Sequence, residues 1–495
     1  MVNQEAPIGG WNARDALDNM PPEDAVCLDN WYPGFGSITL RKGFTEFADT
    51  VGAGAVETLA TLQVGSVNKF LAASSTNVYD ISSGGTASSL AGSFTSGRWQ
   101  TAVMDSKIGL VNGADAPQTY DGTTFGAMTV SGTTVAELIG VNVFKSRSYF
   151  WKAASASFWY SAVDTLGGVL TEFPLGNLGG IGGNLQQMIT WTVDGGSGVD
   201  DLAVFIMTTG DVIIYQGSDP GDASDWALIG VYKIGAPIGI RGAAKVAGDA
   251  IITTVDGYVQ LSSALNLGRT AARDNISDKI INAVLEQTAS TGSSFGWQLF
   301  HYPAGRRLMF NYPKSTTAQF AQHVVNLETG AWSRFAGMNA SSWGLFNDLP
   351  YFGGAGGKVY RADTGTADDG ANIDSDARQA YSYLRMKGVR KQLTQIRILL
   401  ESEGSLPIRV TVDTDFGLRN RSGEVVTIGS GEAGSPWDTS PWDTTPWASG
   451  PIVRQATLSR GDIGDAFSVR LRTSTNNRAI SWNATNMIYR RAGVI

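Results

Sequence analysis

The sequence predicts an all-β protein: a β-propeller of six or seven blades, then a C-terminal antiparallel β-sandwich or barrel, with one short inserted helix. Three observations lead there. Strand-sized apolar runs alternate with Gly, Ser, Asn and Asp turns from about residue 56 to 370. The runs pair off at a period of about 40 residues, the length of a four-stranded blade. Finally, 61 glycines with only 17% charged residues favour turns and strands over helices.

In chain order, residues 1–35 read as a Pro- and Asp-rich arm, and "SITLRKGF" as a short strand behind it, so that 1–55 forms a first unit. The propeller unit, 56–373, holds seven paired runs. They are "NKFLAASSTNVYDISSG", "KIGLVNGADAPQTYDGTTF", "RSYFWKAASASFWYSAVD", "LAVFIMTTGDVIIYQGSDP", "DAIITTVDGYVQLSS", "RRLMFNYPKSTTAQFAQHVVNLETGAWSRF" and "LPYFGGAGGKVYRAD". Each sets two β-branched or aromatic runs around a turn, which is the hairpin signal. Tyr79, Tyr120 and Tyr160 lie 41 and 40 residues apart, Tyr215 and Tyr258 follow after 55 and 43, and Leu327 and Tyr360 close the series. Between two hairpins, "SDKIINAVLEQTAS" (277–290) places Ile280, Ile281, Val284 and Leu285 on one helical face, with Ser277 as the expected N-cap. From 374 to 495 the rhythm changes to alternating strands with basic residues on one face: "QLTQIRILLES", "LPIRVTVDTD", "VVTIGS", "VRQATLS", "FSVRLRTS" and "ISWNATNMIYRR".

Charge divides along the same line. Residues 1–373 hold 21 basic and 33 acidic side chains, against 16 and 12 in residues 374–495. The overall charge of −8 argues against a surface that grips nucleic acid everywhere. The single cysteine, Cys27, allows no intrachain disulfide and suggests synthesis in a reducing compartment. The start "MVNQEAPIGG" lacks the features of a secretory signal, and no apolar run is long enough to span a membrane.

Catalytic chemistry is thin. Two histidines, His301 and His323, and one distant cysteine make no zinc-ligand spacing. A GxSxG string, Gly292 to Gly296 around Ser294, has a helix before it and a strand after it, the reverse of a nucleophile elbow. The acidic pairs Asp200/Asp201, Asp374/Asp376 and Asp413/Asp415 sit in turn-like stretches. The expectation is a protein with no enzymatic activity and no metal or cofactor.

One stretch stands out: "PWDTSPWDTTPWASG" (436–450) repeats a pentapeptide and sets Trp437, Trp442 and Trp447 five residues apart. The prolines forbid a continuous helix or a central strand, and exposed indoles are uncommon without a packing partner. With Trp11, Trp31 and Tyr32 of the arm, these rings are the candidates for a protein interface.

The stretch "GGWNARDALDNMPPEDAVCLDNWYPGFGSITLRKGF" (9–44) resembles the opening of a family of tailed-bacteriophage structural proteins. The pattern stands at Gly9, Gly10, Asn12, Met20, Pro21, Pro22, Asp24, Ala25, Leu28, Asp29, Asn30, Pro33, Leu40, Arg41, Lys42 and Gly43. The Pro-Trp-Asp repeat and the ending "ISWNATNMIYRRAGVI" are similar to that family's C-terminal part. The resemblance implies a tail nozzle or tail hub of short-tailed phages, in the group that includes packaged-DNA stabilization proteins. It further implies a virion protein, made in the host cytoplasm and built on a propeller. Such a protein forms a homohexameric ring below the portal and adaptor and contacts fibre, spike or needle proteins. DNA would pass its channel without sequence-specific binding, repelled by the acidic surplus within the ~8 Å reach of unscreened charge. The alternatives are a propeller that degrades polysaccharide and a receptor-binding tail protein.

Overall fold

In the computed structural model, the described residues are 1–494 apart from 179, 195–198, 247, 268–274, 316–318, 403–404, 419–422 and 429–451. Seven small sheets follow one another around an axis, and each of the seven predicted hairpins falls in its own blade. The first blade is Val56–Val64, Val67–Ser74, Asn77–Asp80 and Ser88–Ala91. The second is Gln100–Met104, Lys107–Val111, Gln118–Tyr120 and Phe125–Ala127; the third is Leu138–Phe144, Arg147–Lys152, Ser157–Tyr160 and Thr171–Pro174. Leu185–Asp194, Val199–Met207, Asp211–Gln216 and Ala227–Lys233 make the fourth. The fifth has three strands, Ala243–Val246, Asp249–Thr254 and Gly257–Gln260, after which the chain enters the helix Leu261–Leu267 instead of a fourth strand. Gln298–Tyr302, Arg307–Pro313, Phe320–Asn326 and Trp332–Phe335 form the sixth.

The seventh blade, Ser342–Phe346, Leu349–Gly353 and Val359–Ala362, takes its outer strand, Phe44–Asp49, from the beginning of the chain. The propeller is thus a seven-bladed ring closed by an N-terminal strand. The recurring tyrosines explain themselves: Tyr79, Tyr120, Tyr160, Tyr215, Tyr258 and Tyr360 all lie on the third strand of their blades. Tight turns recur too. Asp105–Ser106, Lys145–Ser146 and Asn347–Asp348 each put two consecutive residues at positive φ between the first and second strands, the geometry that matches strand twist in a two-residue hairpin.

Six of the seven contacts between neighbouring blades have their own apolar cluster, and that between blades five and six belongs to the large cluster shared with the arm and the sandwich, so the inner strands are buried on both faces. Between blades three and four, Phe158 stacks on Phe205 at 4.6 Å beside Tyr215 and Trp226. Between blades seven and one, Phe346 stacks on Phe70 at 4.8 Å.

The C-terminal part is a sandwich of two sheets. In one, Ile480–Val494 and Val389–Ser402 are neighbours, flanked by Ile452–Ser459 on one side and by the N-terminal strands Ile38–Leu40 and Trp31–Pro33 on the other. Val2–Glu5 also pairs with Ile480–Val494. In the other sheet, Glu424–Ile428, Leu406–Thr414, Phe467–Thr475 and Ile373–Gln379 run on into Asp24–Asp29 and Gly10–Trp11, and so into the sixth blade as one ten-stranded sheet. Alternation sends Ile396, Ile398, Leu400 and Trp482 inward against Val410, Val412, Val469 and Leu471.

The arm 1–35 is therefore strand-paired with the chain's own sheets, and its motif residues form a buried polar joint. Arg41, almost wholly enclosed, gives both Nη groups to Asp368 at 2.7 and 2.6 Å and its Nε to Asn30 at 2.9 Å. Asn30 in turn donates to the carbonyl of Asp374 and accepts from the amide of Ala336. Asp24, fully buried, accepts from Asn12 at 2.8 Å and from the Lys279 ammonium at 2.7 Å. Asp29 holds Arg334 of the sixth blade with two bonds of 2.8 and 2.6 Å. Gly10 sits at φ 84° against the backbone of Trp332, where a side chain would collide. Gly43 is pressed in the same way on the backbone of Ala367.

One local expectation changes. The predicted helix spans Ile281–Thr291 behind a 3₁₀ turn, Asp278–Ile280, but Ser277 does not cap it with its side chain. The Ser277 hydroxyl instead accepts the amide of Tyr258 at 2.9 Å, pinning the helix entry to blade five.

Candidate functional site

The interface candidates separate on inspection. Trp31 is fully buried in the sandwich core, and Trp11 is buried between the His323 ring (5.6 Å) and the Arg334 guanidinium (5.5 Å). Neither is a surface anchor: each fills its own chain's interior, as large rings at strand-paired positions do. Tyr32 stays half-buried, its ring under the Arg307 guanidinium at 4.4 Å. Trp437, Trp442 and Trp447 lie outside the described residues. An aromatic that the sequence reading passed over, Phe35, is 78% exposed at the turn between Trp31–Pro33 and Ile38–Leu40.

Several of the residues singled out for chemistry are engaged structurally. His323 is fully buried; its Nδ1 and the Tyr258 hydroxyl share a hydrogen bond of 2.8 Å, and burial, then the nearby Arg334, lowers its pKa to about 3. Asp376 is gripped by Arg470, and Asp413 is buried 3.2 Å from Arg378. Asp415 accepts the amides of Asp465 and Ala466, and Asp201 accepts the Thr192 hydroxyl. Among the described residues, no three His, Cys, Asp or Glu stand together to hold a metal. Burial raises the Cys27 thiol pKa, the opposite of a reactive thiolate.

Ser294 does lie in a cavity, at one mouth of the propeller axis. Blade-to-blade contacts run through the first strand of each blade, so the starts of these strands gather at this mouth. The cavity, ≈ 380 Å³, is lined by Arg98, Gln186, Arg241, Ser293, Ser294 and Phe295, among others. Arg241, just before the first strand of blade five, crosses to blades one and two. Its Nη1 donates to the carbonyl of Glu57, and its Nη2 donates to the Thr58 hydroxyl and the Trp99 carbonyl, all at 2.8 Å. Arg98 lies 4.1 Å over the Phe295 ring, and its Nε donates to Glu57 at 2.9 Å. Burial lowers the Arg241 pKa to about 10, which leaves it cationic at neutral pH.

Arg241 thus ties blade five to blades one and two across this mouth, beside the cavity. Among the described residues, neither histidine lines the cavity beside Ser294. Sequence reading missed Arg98 and Arg241. The available signal is position: each is an isolated arginine next to glycine, two residues before the first strand of a blade.

No family model matches the chain, and no curated protein does. Solved structures match at low similarity. BBS1N in complex with ARL6DN covers 66% of this chain and 99% of its own at 9% identity, with a TM-score of 0.41. The computationally designed Ika8 protein covers 65% and 100% at 10% identity and 0.39. YCF48 bound to a D1 peptide covers 70% and 99% at 8% identity and 0.37. The fold assignment rests on the closed succession of seven sheets.

Proposed function

We propose that this chain is a structural subunit of a short-tailed bacteriophage tail, of nozzle or hub type, which closes with copies of itself into a ring around the DNA exit path. The observation that supports it most is the joint described above. The residues that resemble the phage family, among them Gly10, Asn12, Asp24, Asp29, Asn30, Arg41 and Gly43, are those that lock the arm, the propeller and the sandwich together. A part that must transmit load in an assembly gains from such a joint, because a buried ion pair with all its donors satisfied permits one arrangement only. The acidic surplus of residues 1–373 suits a wall past which DNA slides without sticking.

Native mass spectrometry of the purified chain, with class averages of the particle that carries it, tests the reading. Six copies in a closed ring coaxial with the DNA path are expected. A chain that is monomeric in the particle, or that cleaves a surface polysaccharide, overturns it.

A further inference from the structure

We propose that the axial mouth of the propeller is a carboxylate-binding site, in which Arg98 and Arg241 grip one carboxylate of a free organic acid or of an acidic side chain offered by a partner. The site is built. The Phe295 face at 4.1 Å and Glu57 on Nε hold the Arg98 guanidinium in place, leaving both of its Nη groups without an acceptor among the described residues. Its side chain is 48% exposed. Arg241 bonds only neutral acceptors, two carbonyls and a hydroxyl, and its Nε has none among the described residues. Both arginines wall the same ≈ 380 Å³ cavity, with Ser293 and Ser294 beside them as further donors and Phe295 as an apolar floor for methylene groups.

The charge balance selects the ligand. Two guanidiniums face the bonded carboxylate of Glu57 alone, a surplus of one positive charge in a partly enclosed space. A monoanionic carboxylate neutralises that surplus and fits the fork of free Nη groups. A phosphate dianion overshoots it beside Glu57. The volume is at the small end for ligand cavities, right for a glutamate side chain or a short dicarboxylic acid.

Calorimetric titration with glutarate, with the blocked tripeptide acetyl-Gly-Glu-Gly-amide and with inorganic phosphate tests this. Saturable binding of glutarate or the peptide at one site per chain is expected, weakened about tenfold in Arg98→Gln through loss of a charge-assisted bond. Phe295→Leu, which removes the seat of Arg98 and no charge, is expected to weaken it several-fold. Tighter binding of the peptide points to a partner-borne side chain, and tighter binding of glutarate to a free acid. The proposal is overturned if neither carboxylate probe binds, if phosphate binds more tightly than both, or if Arg98→Gln and Phe295→Leu, each folded by circular dichroism, bind as the parent does.

Discussion

At the scale of the residue, this chain uses titratable groups as fixed parts. His323 is the clearest instance. Its Nδ1 is hydrogen-bonded with the Tyr258 hydroxyl, its ring lies 4.3 Å from that of Tyr312 and 5.6 Å from that of Trp11, and the charged group facing it is Arg334, itself held by Asp29. The folded pKa of about 3 lies below the ordinary value, with burial as the largest cause. The neutral form is therefore the one that the fold favours. Between pH 6.5 and the folded value the unfolded chain binds a proton that the native chain refuses, so stability falls as pH drops through that window, at up to about 1.4 kcal/mol per unit. His323→Gln removes that term. Urea denaturation of parent and variant at pH 7.5 and 4.5 is expected to show the parent's advantage shrinking by about 2.7 kcal/mol at the lower pH. An advantage that does not change with pH means that His323 titrates normally. The sequence suggested an isolated histidine; its partners, Tyr258 and Tyr312, lie 65 and 11 positions away and meet it only through sheet pairing and blade stacking.

At the scale of the element, the seven hairpins were readable because each is local: strand, turn and return strand lie within about 20 to 30 residues and repeat the same alternation. The strand that closes the ring was not readable as such. Phe44–Asp49 pairs with Val359–Ala362, more than 300 positions later, and no local pattern distinguishes a closing strand from a linker. Within the joint, glycines and buried carboxylates read from sequence as turn residues, since what demands them is the backbone of a distant element. The closing strand is held largely by Phe44, 8% exposed and edge-on to Phe352 at 5.0 Å and Tyr360 at 5.2 Å. Phe44→Ala is expected to cost about 3 to 5 kcal/mol. The loss should be local first: in hydrogen exchange, the amides of Leu349–Gly353 and Val359–Ala362 lose protection ahead of those of blades three and four. Equal loss in every blade would mean that the seam is no weaker than the rest of the ring.

At the scale of the whole molecule, length and charge asymmetry suggested units that meet as neighbours, whereas the sheets run through. The largest apolar cluster takes in Ile238 and Tyr258 of blade five, Phe310 and Trp332 of blade six, Trp11 and Trp31 of the arm, and Val410, Leu471 and Trp482 of the sandwich. The sandwich also borrows Val2–Glu5, Asp24–Asp29, Trp31–Pro33 and Ile38–Leu40 as strands. Residues 374–495 made alone therefore expose the edges of Ile480–Val494 and of what remains of Ile373–Gln379, and the side of the core that Trp31 fills, and unpaired apolar edges favour aggregation over a native sheet. That fragment is expected to lack a cooperative thermal transition. Fusing residues 1–43 to it through a flexible linker restores the four borrowed strands, and with them a sigmoidal melt followed by near-ultraviolet circular dichroism of the buried Trp31 and Trp482. The contrast isolates the cause, because the two polypeptides share every residue of 374–495 and differ only in whether the N-terminal strands are present. If the fragment melts cooperatively without them, the continuous sheet is an incidental contact, and the sandwich is a domain in its own right.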